Sequence, residues 1–121
     1  MTEISAAWEV EFTDEFEQWW DTLTQAAQEA VDAKVLMLEA RGPNLSYPHS
    51  TAIKGSRYPL RELRVQHQGG PLRVLYIFDP RRTALLLVGG DKTGDDRWYE
   101  KFVPLAEKLY LSHVETLKLE N

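Results

Sequence analysis

Cysteine is absent from the 121 residues, which removes disulfides, zinc-thiolate sites and thiol catalysis together. No stretch approaches the ~20 consecutive apolar residues of a membrane span. The opening MTEISAAWEVEF has neither the basic region nor the apolar run of a secretory signal. A cytoplasmic protein with no membrane partner is the expectation. No pair of carboxylates or histidines stands at metal-ligand spacing, so neither a metal nor a small-molecule cofactor is expected. A phosphate-cradling loop is also missing. In GGDKTGDDRWYEKF, residues 89–102, Gly89 and Gly94 have the separation of such a loop, but Asp95 follows Gly94 and Lys92 precedes it. The lysine therefore cannot reach back from a first helical turn to bound phosphates.

What is present suits one domain spanning 1–121: 43% hydrophobic and 11% aromatic residues supply a single core. The net charge of -5 is unevenly spread. Residues 1–41 hold ten acids and two bases, residues 42–103 six acids and ten bases, and residues 104–121 three acids and two bases. Seven of the ten central bases are arginine, whose rigid fork grips phosphate at two points. For any one of them alone, a solvated strand or turn position is the plainer reading.

WEVEF at 8–12 alternates in the manner of a half-buried first or edge strand. From Asp14 to Arg41, apolar residues recur every three or four positions, marking one long helix or a pair joined near Thr24 to Ala26. Asp14 and Glu17 suggest its capping box, and RGPN its stop. A polar loop comes next. Then LRELRVQH, PLRVLYIF and TALLLVG, separated by QGG and DPRR, predict an antiparallel meander whose last run is central. The hairpin allows Arg64 and Arg73 to share a face without fixing the register. Gly89 and Gly90 are expected to release the chain from the sheet, and Thr93 with Asp96, or Asp95 alone, to cap the next helix. Pro104 predicts a break between a helical turn at 95–102 and a second segment. The fold class is α+β: a small antiparallel sheet with helices packed on it.

The ordered set Leu60 to Arg64, Gly69-Gly70, Arg73 to Tyr76, Leu85 to Gly89, Lys92 and Tyr99 resembles the RelE/HigB-like toxins of bacterial type II toxin-antitoxin modules, in particular their phage-derived HigB-type branch. The resemblance runs from Trp8 to Leu117. It implies a RelE-like fold and a metal-independent endoribonuclease that cuts mRNA on the ribosome, the 2′-hydroxyl attacking the adjacent phosphate. It also implies a cognate helix-turn-helix antitoxin of the HigA type. Arg64, Arg73, Lys92 and Tyr99 match the family's site positions. Related ParE-like toxins share the fold and inhibit DNA gyrase without catalysis, and a degenerate member would only bind its antitoxin.

Such a cleavage needs a base, an acid and positive charge at the transition state. Arg64 and Arg73 suit the last role, while Tyr99 is either an acid or base, its pKa lowered by nearby cations, or a core aromatic beside Trp98. Lys54, Arg57, Arg61, Arg81, Arg82 and Arg97 are candidates for gripping the RNA backbone. His49 is the one histidine worth testing for catalysis, His113 reads as a surface residue and His67 lies at a turn. Glu62 reads first as a solvated strand carboxylate; the alternatives are a general base or an ion-pair partner that orients Arg64. The acidic total demands that the basic residues form a patch of their own.

Overall fold

Why a short, charged segment such as WEVEF joins a sheet is answered by its neighbour. β1 (Val10–Phe12) pairs in parallel with β5 (Ala84–Asp91), the most apolar strand of the chain. The fold is known from a computed structural model that describes residues 7–120. Between these strands run α1 (Asp14–Asp21), α2 (Gln25–Arg41), a 3-10 turn at Gly42–Asn44, β2 (Ser50–Ala52), β3 (Arg61–His67) and β4 (Gly70–Phe78). After β5 comes α3 (Trp98–Leu119). The five strands lie in the order β1-β5-β4-β3-β2. The sheet is mixed, because the helix pair carries the chain across one face before the meander begins, leaving β1 in the same direction as β5.

The helices form two layers. α1 and α2 cover one face through Phe16, Ala27, Val31 and Leu38, packed on Leu63, Val65, Val74 and Leu86. α3 covers the other through Trp98 and Ala106, packed on Leu75, Ile77, Leu85 and Leu87. β4 and β5 are buried on both faces, which explains their near-continuous apolar runs. A bulge between Leu75 and Tyr76 shifts the register, with Tyr76 opposite Leu86 and Leu75 opposite Val88. The extra residue, Leu87, exchanges the faces of the remainder of β5.

Several local expectations are corrected. The helix pair does break where expected, at Thr24, whose hydroxyl accepts from the Ala27 amide. The cap of α1, however, is Thr13 and not Asp14: its hydroxyl accepts from the Phe16 amide and donates to the Leu87 carbonyl at 2.6 Å. β2 arises within the stretch read as polar loop. It is too short to show a pattern, and a tertiary contact, the buried Ser50 Oγ to Tyr76 Oη hydrogen bond of 2.6 Å, locates it. Gly89 and Gly90 remain inside β5 instead of ending it. A Cβ on Gly89 would overlap the Trp19 ring, and one on Gly90 would lie 2.6 Å from Trp98 Nε1. The missing side chains admit one indole from each helical layer. α3 starts at Trp98 with Arg97 at its cap position and no side-chain cap; Asp95 instead accepts from the Arg97 amide at 3.0 Å. It runs unbroken through Pro104, which is exposed, as is Glu100, the residue whose carbonyl loses its donor.

At the end of the sheet beyond Phe78, Asp79 is buried and ties three elements together. Its carboxylate accepts from His113 Nε2 on α3 at 2.9 Å, from Arg81 Nε at 2.9 Å and from the Thr83 amide at 3.1 Å, and Arg81 continues to Glu11 on β1. His113 is thus half-buried and not a surface residue. Burial would raise the Asp79 carboxyl, but the bonds from His113, Arg81 and Thr83, with the Arg81 charge, outweigh it and hold it below its ordinary value. A depressed folded pKa gives stability that is present above the unfolded value and lost as pH falls through the folded one. Acid titration of the melting temperature should show the wild-type chain losing its advantage over Asp79→Asn as pH falls below the ordinary value of 3.8. A constant gap between the two down to pH ~2 would contradict this.

Candidate functional site

Pairing within the meander decides which side chains meet. Arg64 of β3 stands directly opposite Arg73 of β4, so the two share the face covered by α3. Two arginines side by side repel unless something intervenes. Glu62, two residues before Arg64 on that face, is that group. It is 5% exposed, so it is a buried carboxylate and not a solvated one. Its Oε1 lies 3.5 Å from Arg73 Nε and its Oε2 lies 3.6 Å from Arg64 Nη1. Two hydroxyls complete its shell: Tyr99 Oη donates to Oε1 at 2.6 Å and Thr51 Oγ1 to Oε2 at 2.8 Å.

Tyr99 is the second residue of α3 and packs edge-on against Trp98, while its hydroxyl reaches Glu62. Lys92, on the loop after β5, donates to the phenol at 3.4 Å and lies 5.0 Å over its ring. Burial raises the Tyr99 pKa first, and the bond to Glu62 and its charge raise it further; Arg73 pulls the other way and loses. The expectation of a lowered pKa is corrected: the cations are offset by the carboxylate between them. Tyr99 therefore holds its proton at neutral pH, as an acid must.

The sheet edge beyond β2 opens into a cleft of 310 Å³ lined by Lys34, Pro48, Arg64, Gln66 and Arg73. Arg73 is nearly buried and lines it, with Nη1 donating to the Leu72 carbonyl at 3.0 Å; Arg64 is one-third exposed and lies over the Tyr47 ring. Lys34 donates to His49 Nδ1 at 2.8 Å, and burial, then the Lys34 and Arg41 charges, lower the His49 pKa. Two arginines thus flank one carboxylate, with Lys92 on its phenol partner and Lys34 at the cleft wall, in a chain of net charge -5.

Arg64, Arg73, Lys92 and Tyr99 are brought together through Glu62. The six proposed RNA-gripping residues do not join them. Arg61 points to the other face and bonds Ser50 Oγ and the Leu45 carbonyl. Arg81 and Arg82 lie in the turn at the far end of the sheet, one held by Asp79 and Glu11, the other over the Trp8 ring. Arg97 is exposed beside Glu100. Lys54 and Arg57 are exposed on the β2–β3 loop, which Glu107 of α3 fastens through the Arg57 amide. Sequence reasoning missed Lys34, Thr51 and Tyr47; Lys34 alone left a signal, as one of two bases in an acidic segment. Among the described residues no group of three potential metal ligands converges, and no helix is long and apolar enough to cross a membrane.

Residues 18–111, which include every member of this cluster, match the family described as phage derived protein Gp49-like (DUF891). The chain belongs to this family. A Mycobacterium tuberculosis protein named "Putative toxin HigB3" is 37% identical over 94 residues, covering 76% of this chain and 81% of that one. A second from the same organism, "Putative toxin HigB2", is 34% identical over 99 residues, or 79% of this Gp49-like chain; the match spans only 49% of that longer protein. The fold is that of RelE. A chain of the intact Escherichia coli RelBE toxin-antitoxin complex superposes with a TM-score of 0.54 at 12% identity, covering 69% of this chain and 95% of that one. A mutant E. coli RelE in the free state gives 0.57 at 12% identity over 79% and 95%. A chain of the archaeal RelE-RelB complex from Pyrococcus horikoshii gives 0.54 at 16% over 73% and 98%. The α+β architecture with helices on the sheet is therefore the RelE-like one, joined to HigB-like homology.

Proposed function

We propose that this chain is the toxin of a type II toxin-antitoxin pair, of the phage-derived HigB-type branch, and that it cuts mRNA on the ribosome in the cytoplasm without a metal. Its partners on this reading are the ribosome with its mRNA and a cognate HigA-type helix-turn-helix antitoxin. The observation that carries the reading is the Glu62-centred network, in which Arg64, Arg73, Lys92 and Tyr99 converge beside an open cationic cleft. In the reaction, the 2′-hydroxyl gives up its proton to solvent in the open cleft as its oxygen bonds to phosphorus, the bond from phosphorus to the 5′-oxygen breaks, and the departing oxygen takes a proton. Arg64 and Arg73, with Lys34 at the cleft wall, neutralise the charge that grows on the phosphate. Glu62 holds the guanidinium groups and the phenol in position. Tyr99, which keeps its proton at neutral pH, supplies it to the departing oxygen.

Tyr99→Phe keeps the ring and its contact with Trp98 but removes the proton. Cleavage of ribosome-bound transcripts should fall by about 10²-fold or more, with the melting curve little changed. The test is induction in cells with mapping of transcript 5′ ends. New ends within translated codons that disappear in Tyr99→Phe support the reading. Intact transcripts with DNA damage indicate a ParE-like gyrase inhibitor, and no growth effect indicates a member that only binds its antitoxin.

A further inference from the structure

On the side of the sheet away from Arg73, α1, α2 and β1 surround an open groove of 390 Å³. Val10, Phe12, Phe16, Trp20 and Val35 line it, and Phe12 is 55% exposed. Phe12 stands in water beside half-buried Val10, Trp20 and Val35, with Phe16 buried beneath them, and apolar surface left open in this way marks interaction sites. Glu17, Asp21, Asp32 and Glu39 stand around the same groove. None of these four forms an ion pair among the described residues.

The third feature is a strand edge that, past the Trp8 amide bound to the Glu39 carbonyl, has no strand beyond it among the described residues. β1 is the terminal strand of the sheet, and its Glu9 carbonyl and Thr13 amide bond to Ala84 and Leu86 of β5. Odd-numbered residues of this segment therefore face β5, and the amides and carbonyls of Val10 and Phe12 point away from the sheet. An unpaired edge is a template for another strand.

We propose that this groove docks an extended segment of a partner protein in which apolar residues alternate with lysine or arginine. Its backbone pairs with Val10 and Phe12, its apolar side chains enter between Phe12, Phe16 and Trp20, and its cations meet the four carboxylates. Charge selects this occupant. An acidic segment or a nucleic-acid backbone would add to the repulsion, and a second copy of this chain, docking by two-fold symmetry, would bring the same four carboxylates against themselves. With three residues, β1 offers few backbone bonds, so affinity rests on the groove and the charges. The proposal does not depend on the nuclease reading, since it uses the opposite face of the sheet.

The test titrates the full chain with a synthetic peptide of alternating lysine and leucine or valine, followed by amide NMR shifts and tryptophan fluorescence. Perturbation centred on Val10, Phe12 and Trp20 is expected, with none from a peptide carrying glutamate in place of lysine. Asp21→Lys with Asp32→Lys should weaken binding about tenfold, whereas Glu115→Lys with Glu120→Lys, an equal change in net charge at the exposed end of the chain, should leave it unchanged. Phe12→Ser, an exposed position, should weaken it without altering charge. Equal losses in the two lysine pairs, or shifts centred elsewhere, would overturn the proposal.

Discussion

An Arg73→Ala chain should lose transcript cleavage by about 10²–10³-fold, the cost of removing a preorganised donor from a developing anion. It should also lose stability, for a separate reason. Glu62 would keep its charge in a buried position with one ion-pair partner gone. Breaking a buried pair costs up to about 3–5 kcal/mol, and the remaining Arg64, Tyr99 and Thr51 contacts place this case toward the lower end. The two losses can be separated. Adding Glu62→Gln removes the stranded charge, so the double variant should recover much of the lost melting temperature while cleavage stays low. Arg73→Lys should fall between, keeping the charge without the planar fork. A double variant that folds and cuts at the wild-type rate would show that Arg73 is a structural counter-ion only.

Gly89→Ala provides the second large effect, because two principles predict opposite signs. In a strand interior, glycine is destabilising relative to alanine by roughly 0.5–1 kcal/mol through backbone entropy, so the substitution should stabilise. The contact with Trp19 says otherwise, since the added carbon would occupy the space of the ring. Overpacking costs about 1–3 kcal/mol, which exceeds the entropic gain. The melting temperature should drop by several degrees, given a sensitivity of roughly 2–8 °C per kcal/mol for domains of this size range. Combining Gly89→Ala with Trp19→Leu should recover part of the loss. An unchanged or raised melting temperature in the single variant would mean that the ring does not lie on Gly89.

How much of this could be read from residues alone varies with the range of the interaction. The helix pair, the meander and the last helix were legible because periodicity is local: Phe16 to Leu38 repeats at helical spacing, and Leu63 with Val65 alternates as a strand should. β2 was not, because a hydroxyl contact between Ser50 and Tyr76 makes it. The break expected at Pro104 failed for a related reason, since tolerance depends on where the orphaned carbonyl points. Arg64 and Arg73 were legible as candidates, but their pairing awaited a register that the hairpin alone leaves open. Glu62 was misread because strand alternation puts a charged residue at its position and says nothing about Thr51 or Tyr99 arriving from elsewhere. The Tyr99 shift was misjudged with it, as cations without the carboxylate imply the wrong direction.

The bulge in β5 bears on how the site could change over time. Alternation along a strand behaves as a two-phase signal, and Leu87 advances it by half a period, so the aliphatic stretch 84–86 and the stretch Gly89 to Asp91 are out of phase with each other. Straightening the bulge, with Leu87 drawn into regular pairing opposite Leu75, would leave the sequence unchanged yet invert the stretch beyond it: Gly89 would meet the Trp98 layer and Gly90 the Trp19 layer. Both remain glycine, so both indoles would still find room. Val88, Asp91 and the loop bearing Lys92 would register the inversion. Two adjacent glycines thus spare both indoles in a slip that would be felt at Val88 and at the site.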